Sequence, residues 1–121
     1  MASVLIIDDQ DFVRFTLKQM LERSGHDVIE ASNGDEAIRL FESTDPDLVI
    51  TDILMPDKGG IEIIAELKIS YPDLKIVAMS GGGRTENMDY LELASATGAD
   101  ATLLKPFRAQ DVLDLVTKTL D

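Results

Sequence analysis

The sequence lacks cysteine altogether and has few basic residues, and both shortages narrow the classes of protein to which it can belong. Without cysteine, neither a disulfide framework nor a thiolate zinc site can form, and a reducing compartment is compatible with the chain. The 11 Lys and Arg residues against 23 Asp and Glu residues give a formal net charge of -12. Nucleic acid is therefore repelled overall, whereas cations and basic partners are favoured.

Long hydrophobic segments are absent as well. No apolar run approaches the roughly 20 residues that a membrane span needs, and residues 1–3 lack the basic region of a signal peptide. A cytoplasmic protein is therefore expected. The 121 residues suit one domain over positions 1–121, and we expect no attached output domain because the last predicted helix ends with the chain.

Short apolar runs alternate with segments of helical periodicity through the whole chain. The predicted strands cover residues 3–7, 27–31, 48–52, 75–79 and 101–104. The predicted helices begin near residues 11, 33, 60, 85 and 108 and end near residues 24, 45, 71, 97 and 120. Five such units imply an α/β fold with a parallel sheet, right-handed crossovers and helices on both faces. In the third helix, Ile61, Ile64 and Leu67 are expected to face the core.

The third predicted strand organises the chain. It is short, apolar on both faces and bounded by Pro46 and Pro56, which is typical of a strand buried inside a parallel sheet. Asp52 stands at its carboxyl end, on the edge where open α/β sheets bind their ligands. We predict that Asp52 is a nucleophile that accepts a phosphoryl group and becomes an acyl phosphate.

Polar residues follow three other strands too. The pair Asp8–Asp9 follows the first strand, Ser80 the fourth and Lys105 the fifth. Each residue alone is typical of a turn or a helix start. Because the carboxyl ends of parallel strands share one edge, we expect all of them to meet Asp52 in one cleft. There the Lys105 ammonium group and the Ser80 hydroxyl would contact the phosphoryl oxygens.

Carboxylates crowded in one cleft repel each other, and a divalent cation can offset that repulsion. Mg²⁺ takes oxygen ligands, retains several waters and needs only one or two carboxylates beside a phosphate. We expect Asp9 and Asp52 to be direct ligands, Asp8 to act more through water, and the backbone carbonyl of Leu54 to complete the metal site.

These residues give the chain a resemblance to the receiver domain of two-component response regulators, of the stand-alone, CheY-like type. The resemblance covers essentially the whole chain and rests on Asp8–Asp9, on Asp52 with Met55, Pro56 and Gly60, on Ser80, and on Lys105–Pro106–Phe107. It implies a doubly wound, flavodoxin-like (βα)5 fold with the family's strand order 2-1-3-4-5 and a cis Lys105–Pro106 bond.

The resemblance also implies a function in a phosphorelay. A histidine kinase or a histidine phosphotransfer protein would supply the phosphoryl group, with Mg²⁺ as cofactor. The protein would phosphorylate and dephosphorylate itself without turning over an external substrate, and so would not be an enzyme in the usual sense. Neither direct nucleic-acid binding nor membrane insertion is expected, and the downstream protein target is unknown.

Two positions depart from the family pattern. Thr102 stands three residues before the lysine, where the family usually carries Tyr or Phe, so the usual ring switch cannot operate. Residues 81–83 are three consecutive glycines, which lower the cost of moving that loop. We hypothesise that a rearrangement of this loop and of the fourth helix replaces the ring switch. The face of the fourth helix, fifth strand and fifth helix is expected to serve any dimerisation, but output through this face cannot use the usual ring switch.

Three other classes of protein remain as alternatives. An interaction module of the same fold has no need of the complete set of Asp8–Asp9, Asp52, Ser80 and Lys105. A haloacid-dehalogenase-like phosphotransferase carries a second Asp two residues after its nucleophile, where this chain has Leu54. A flavin-binding protein would carry Ser, Thr and Gly after the first strand in place of residues 8–11.

Overall fold

The computed structural model describes residues 2–55, 58–81 and 85–121, with the backbone alone for residues 85–89. Its strands are β1 (Ser3–Ile7), β2 (Asp27–Ala31), β3 (Leu48–Asp52), β4 (Lys75–Gly81) and β5 (Ala101–Lys105). Its helices are α1 (Asp11–Arg23), α2 (Gly34–Thr44), α3 (Gly60–Ser70), α4 (Thr85–Thr97) and α5 (Ala109–Leu120). The predicted bounds are confirmed to within about two residues, and the extension of β4 through Gly81 is among the largest differences.

The strands form one parallel sheet in the order β2-β1-β3-β4-β5, which confirms the predicted doubly wound α/β fold. Strand β3 lies at the centre of this sheet, where Ile50 pairs with Ile6 of β1 and with Val77 of β4. Every residue of β3 is buried, which explains why its sequence is apolar without alternation. Asp52, the last residue of β3, is thereby fixed at the middle of the carboxyl edge.

Hydrophobic cores lie on both faces of the sheet because successive strand residues point to opposite sides. One core joins alternate residues such as Leu5 and Val49 to the inner sides of α2, α3 and α4. The other joins Val4 and Leu48 to α1 and α5. None of the helices that the structure describes is long and apolar enough to cross a lipid bilayer.

Local signals set several helix ends. The Asn33 side chain accepts a hydrogen bond from the Glu36 backbone N–H at 2.9 Å, as predicted for the start of α2. The Glu36 carboxylate reaches back and accepts from the Ser32 N–H at 3.1 Å. After α1, Gly25 takes a φ of 90°, the left-handed conformation that ends helices and that glycine adopts at little cost.

The predicted inner face of α3 omits one residue, although Ile61 packs against the core as predicted. Ile64 and Leu67 are buried as expected, but Ile63 is fully buried where Ile61 is only partly so. Apolar residues occupy several sides of this helix, including an exposed Ile69, so that periodicity alone does not single out the buried side.

Gly60 lets α3 begin directly against the end of β3. A Cβ atom added at Gly60 would lie 2.1 Å from the Asp52 carbonyl oxygen and 2.7 Å from the Ile53 Cα. The Gly60 N–H also donates to the Ile53 carbonyl at 2.9 Å. Since no side chain fits between these backbone atoms, glycine is required here for Asp52 to keep its place.

We therefore expect Gly60→Ala to lower the free energy of unfolding by about 2–3 kcal/mol, because the backbone of Asp52 must move to admit the methyl group. Gly59→Ala is the matched control, since a Cβ atom there lies 3.4 Å from its nearest neighbour and should cost less than about 1 kcal/mol. Urea unfolding measures both values. Equal costs for the two substitutions would contradict the importance of this close approach.

Candidate functional site

The carboxyl edge of the sheet gathers the residues predicted to carry the chemistry. Asp8 follows β1 directly and is fully buried, while Asp52 ends β3 and is 6% exposed. Ser80 is buried in β4, one residue past Met79, the partner of Asp52 across the ladder. Lys105 ends β5. The Lys105–Pro106 peptide bond is cis, as the resemblance implies.

Lys105 binds two buried carboxylates at once. Its Nζ lies 3.1 Å from Asp8 Oδ2 and 3.5 Å from Asp52 Oδ2. A charge buried without a partner is costly, so this ammonium group is needed to keep both acids inside the fold. Among the residues that the structure describes, one positive charge faces these two carboxylates, and this group of three side chains therefore carries an excess of negative charge.

The environment of Asp52 disfavours its charged form. Burial raises the pKa of Asp52 to about 6 from an ordinary value of 3.8, against the nearby Lys105 charge, which lowers it. The Asp8 carboxylate raises this pKa further, whereas the Ile53 N–H, which donates to Asp52 Oδ1 at 3.0 Å, lowers it. At neutral pH, Asp52 is therefore mostly ionised but poorly stabilised, which suits a nucleophile or a metal ligand.

Three carboxylates converge at this edge. Asp8, Asp9 and Asp52 each offer an oxygen atom, and the three oxygens lie within 4.8 Å of one another. Such a set of hard oxygen donors with excess negative charge fits a cation of the Mg²⁺ type. Lys105 occupies Asp8 Oδ2, and the Gln10 N–H donates to Asp8 Oδ1 at 2.9 Å. Asp9 is exposed and Asp52 lies at the rim, so these two carboxylates are the more available.

Other predicted features lie at or beyond the border of the described residues. The Leu54 side chain is 51% exposed, two residues beyond Asp52, and the part that its backbone carbonyl plays in a metal site stays a prediction. Gly82 and Gly83 of the predicted mobile loop lie outside the described residues. That loop movement therefore also stays a prediction.

Thr102 lies in β5 opposite Ala78 of β4 and is partly buried. Its side chain borders an open cavity of about 420 Å³ between α4, β5 and α5. Leu91 and Phe107 also line this cavity, with Glu92 and Asp111 among its acidic members. Position 102, where the family usually carries Tyr or Phe, thus holds a smaller residue that borders this cavity.

Sequence reasoning missed two contributors to the site. It did not assign a role to Arg14, whose guanidinium group donates to the Asp8 backbone carbonyl at 2.6 Å. It used Gly60 only as part of a motif and not as the residue that admits the Asp52 backbone. A basic residue on the first turns of α1, just after an acid pair, is the only signal in the sequence that points to Arg14.

The central strand β3 ends in a buried aspartate, an acid pair follows the neighbouring strand β1, and a lysine ends β5. Together these features define a doubly wound domain with an acidic site at the carboxyl edge of its sheet. Residues 4–117 match the response regulator receiver domain, and the chain belongs to that family. The resemblance drawn from the sequence is therefore confirmed. Receiver domains of two-component response regulators are phosphoryl-accepting signalling modules rather than enzymes that turn over a substrate.

Relatives with different names share this domain. The chemotaxis protein CheY of Halobacterium salinarum is 37% identical over 117 residues, which are 97% of this chain and 95% of that protein. The alkaline phosphatase synthesis transcriptional regulatory protein PhoP of Bacillus subtilis is 37% identical over 112 residues, 90% of this chain and 44% of that protein. A receiver domain protein from Clostridium thermocellum has a crystal structure with a TM-score of 0.91 and 33% identity, covering 99% of this chain and 94% of that one.

The raised pKa of Asp52 predicts how its replacement changes stability with pH. Between pH 3.8 and about pH 6, the folded state binds a proton that the unfolded state has lost, so the Asp52 carboxyl makes stability fall as pH rises. Asp52→Asn removes this penalty. We expect the variant to gain about 1–3 kcal/mol over wild type at pH 7 without divalent cations, and the gain to shrink toward pH 4.

Urea unfolding in EDTA across this pH range measures the effect. Asp73→Asn is the matched control, because Asp73 is an exposed carboxylate in the turn before β4 and its replacement should change little at any pH. A gain for Asp52→Asn that does not vary with pH, or a loss of stability at pH 7, would contradict the raised pKa.

Proposed function

We propose that this domain receives a phosphoryl group on Asp52 from the phosphohistidine of a histidine kinase or a histidine phosphotransfer protein. The observation that carries the proposal is the buried cluster in which Lys105 Nζ lies 3.5 Å from Asp52 Oδ2 and 3.1 Å from Asp8 Oδ2. An acceptor, a fixed positive charge and an acid pair are the parts that phosphoryl transfer to a carboxylate requires.

The reaction joins one Asp52 carboxylate oxygen to phosphorus as the bond from phosphorus to the donor imidazole nitrogen breaks. The product is an acyl phosphate, and the imidazole leaves with the electron pair of the broken bond. The Lys105 ammonium group, already at this carboxylate, turns to the phosphoryl oxygens. Ser80, buried on the adjacent strand, donates its hydroxyl to the same group.

Mg²⁺ is the proposed cofactor, held directly by Asp9 and Asp52, through water by Asp8, and by the Leu54 carbonyl. When bound, it would offset the negative charge that otherwise keeps an anionic carboxylate from an anionic phosphoryl donor. The convergence of the three carboxylate oxygens within 4.8 Å supports this assignment. The excess negative charge around Lys105 supports it as well.

The phosphoryl group is proposed to act as a switch through the strand ends that face it. It adds negative charge beside Ser80 and Lys105, which end or nearly end β4 and β5. Movement of either residue changes the start of α4 and the face that α4 forms with β5 and α5. We propose that this change alters the binding of a downstream protein. Because position 102 is a threonine, the aromatic ring that the family usually carries there takes no part in the change.

Incubation with acetyl phosphate and Mg²⁺, followed by intact-mass measurement, tests the proposal. We expect wild type to gain the mass of one phosphoryl group and to lose it in hydroxylamine, because an acyl phosphate reacts with that nucleophile. Asp52→Asn should gain nothing, and EDTA should prevent the reaction of wild type. Asp73→Asn serves as the matched control and should react as wild type does.

Two results would refute this function. Equal modification of wild type and Asp52→Asn would place the acceptor elsewhere. No modification of wild type by acetyl phosphate, phosphoramidate or any phosphohistidine donor would favour an interaction module that keeps the fold without phosphorylation.

A further inference from the structure

Arg14 forms a hydrogen bond to the backbone of the Asp8–Asp9 pair rather than to its carboxylates. Its side chain, 14% exposed, projects from α1 toward the turn that follows β1. One guanidinium nitrogen donates to the Asp8 carbonyl oxygen at 2.6 Å, and another pairs with the Asp11 carboxylate. The third nitrogen, Nε, lies 3.5 Å from Glu30 Oε1 on β2. The planar group thus connects the acid turn, the first turn of α1 and the edge strand.

With this contact, every polar group of Asp8 has a fixed partner. Its N–H donates to the Ala31 carbonyl at 3.2 Å, and its two carboxylate oxygens accept from the Gln10 N–H and from Lys105. Its carbonyl accepts from Arg14. Since that carbonyl belongs to the peptide joining Asp8 to Asp9, Arg14 fixes the orientation of this peptide plane.

Asp9 depends on that plane for its position. It is exposed, and no hydrogen bond or ion pair to another described residue is found for its carboxylate. Its approach to Asp8 and Asp52 is therefore determined by the backbone. A ligand that is not held by its own side-chain contacts is positioned only as well as its peptide is.

We infer that Arg14 is a positioning residue for the cation site, which acts by holding the Asp8–Asp9 peptide so that the Asp9 carboxylate faces Asp52. This inference rests on the proposed function, since it assigns to Arg14 a part in Mg²⁺ binding. The guanidinium fork suits the task because it can hold the carbonyl and two carboxylates in one plane.

A positioning role and a simple charge effect predict opposite results. Arg14 is a cation near an acidic site, so removal of its charge alone would strengthen the binding of Mg²⁺. Loss of a group that orients a metal ligand weakens binding instead, typically by about tenfold or more. The direction of the change in the dissociation constant therefore separates the two.

Isothermal titration of wild type, Arg14→Gln and Lys18→Gln with MgCl₂ tests the inference. Lys18 is the matched control, because it lies one turn further along α1 and also approaches Glu30, at 3.5 Å, but does not contact Asp8. We expect Arg14→Gln to raise the dissociation constant for Mg²⁺ about tenfold and Lys18→Gln to change it less than about twofold. Thermal unfolding in EDTA checks that each variant is folded.

Two results of this titration would decide against the inference. Unchanged or tighter Mg²⁺ binding by Arg14→Gln would overturn it, as would equal weakening in both variants. Should Arg14→Gln fail to unfold cooperatively, Arg14→Lys keeps the charge without the fork and should still bind Mg²⁺ at least about threefold more weakly. Wild-type affinity in that variant would overturn the inference. If wild type itself binds no Mg²⁺, the proposed function fails along with it.

Discussion

The contact of the Lys105 ammonium group with the buried carboxylates of Asp8 and Asp52 is the interaction on which this site depends. Without it, two acids would be buried at the centre of the sheet with no counter-charge from any other described residue, a state that favours binding of a proton. With it, Asp52 is mostly ionised at neutral pH. Burial raises the pKa of Asp52 to about 6, and the Lys105 charge keeps this pKa from rising further. The remaining negative charge is the property of the site that fits the proposed cation.

The fold supplies this contact by bringing distant parts of the chain to one edge. Asp8 and Lys105 are separated by 97 positions in sequence, and only β3 and β4 lie between their strands. Hydrophobic cores on both faces hold the strands in register, so the strand ends have little freedom. Gly60 admits the backbone of Asp52, and Arg14 holds the peptide that precedes Asp9. Rigidity in this layer is a condition for phosphoryl chemistry, because donor and acceptor must be aligned.

Much of this was predictable from sequence because the signals are local and repeated. Four of the five strands are short, largely apolar runs with a polar residue at or next to the carboxyl end. Asn33 and Gly25 mark helix ends by their own chemistry. Parallel topology alone places Asp8, Asp52 and Lys105 at the same edge of the sheet, whereas the strand order that brings them close together came from the family resemblance.

The features that sequence reasoning missed depend on three-dimensional detail. In α3, apolar residues on several sides hide which isoleucine is buried. The need for glycine at position 60 arises from the approach of a backbone 8 positions earlier, at Asp52. The contact of Arg14 with a backbone carbonyl leaves no mark on the pattern of acids and bases, since Lys18 lies on the same helix with similar charge and does not make it.

We propose that Asp52 is a buried acid whose negative charge is offset partly by Lys105 and, for the rest, by a bound cation. A ¹³C NMR titration of the Asp52 carboxyl carbon tests it most directly. We expect a pKa of about 6 in EDTA and a value at least about one unit lower in saturating Mg²⁺, because the cation favours the ionised form. An ordinary pKa near 3.8 that Mg²⁺ does not move would mean that Asp52 is neither a strained buried acid nor a ligand of the cation.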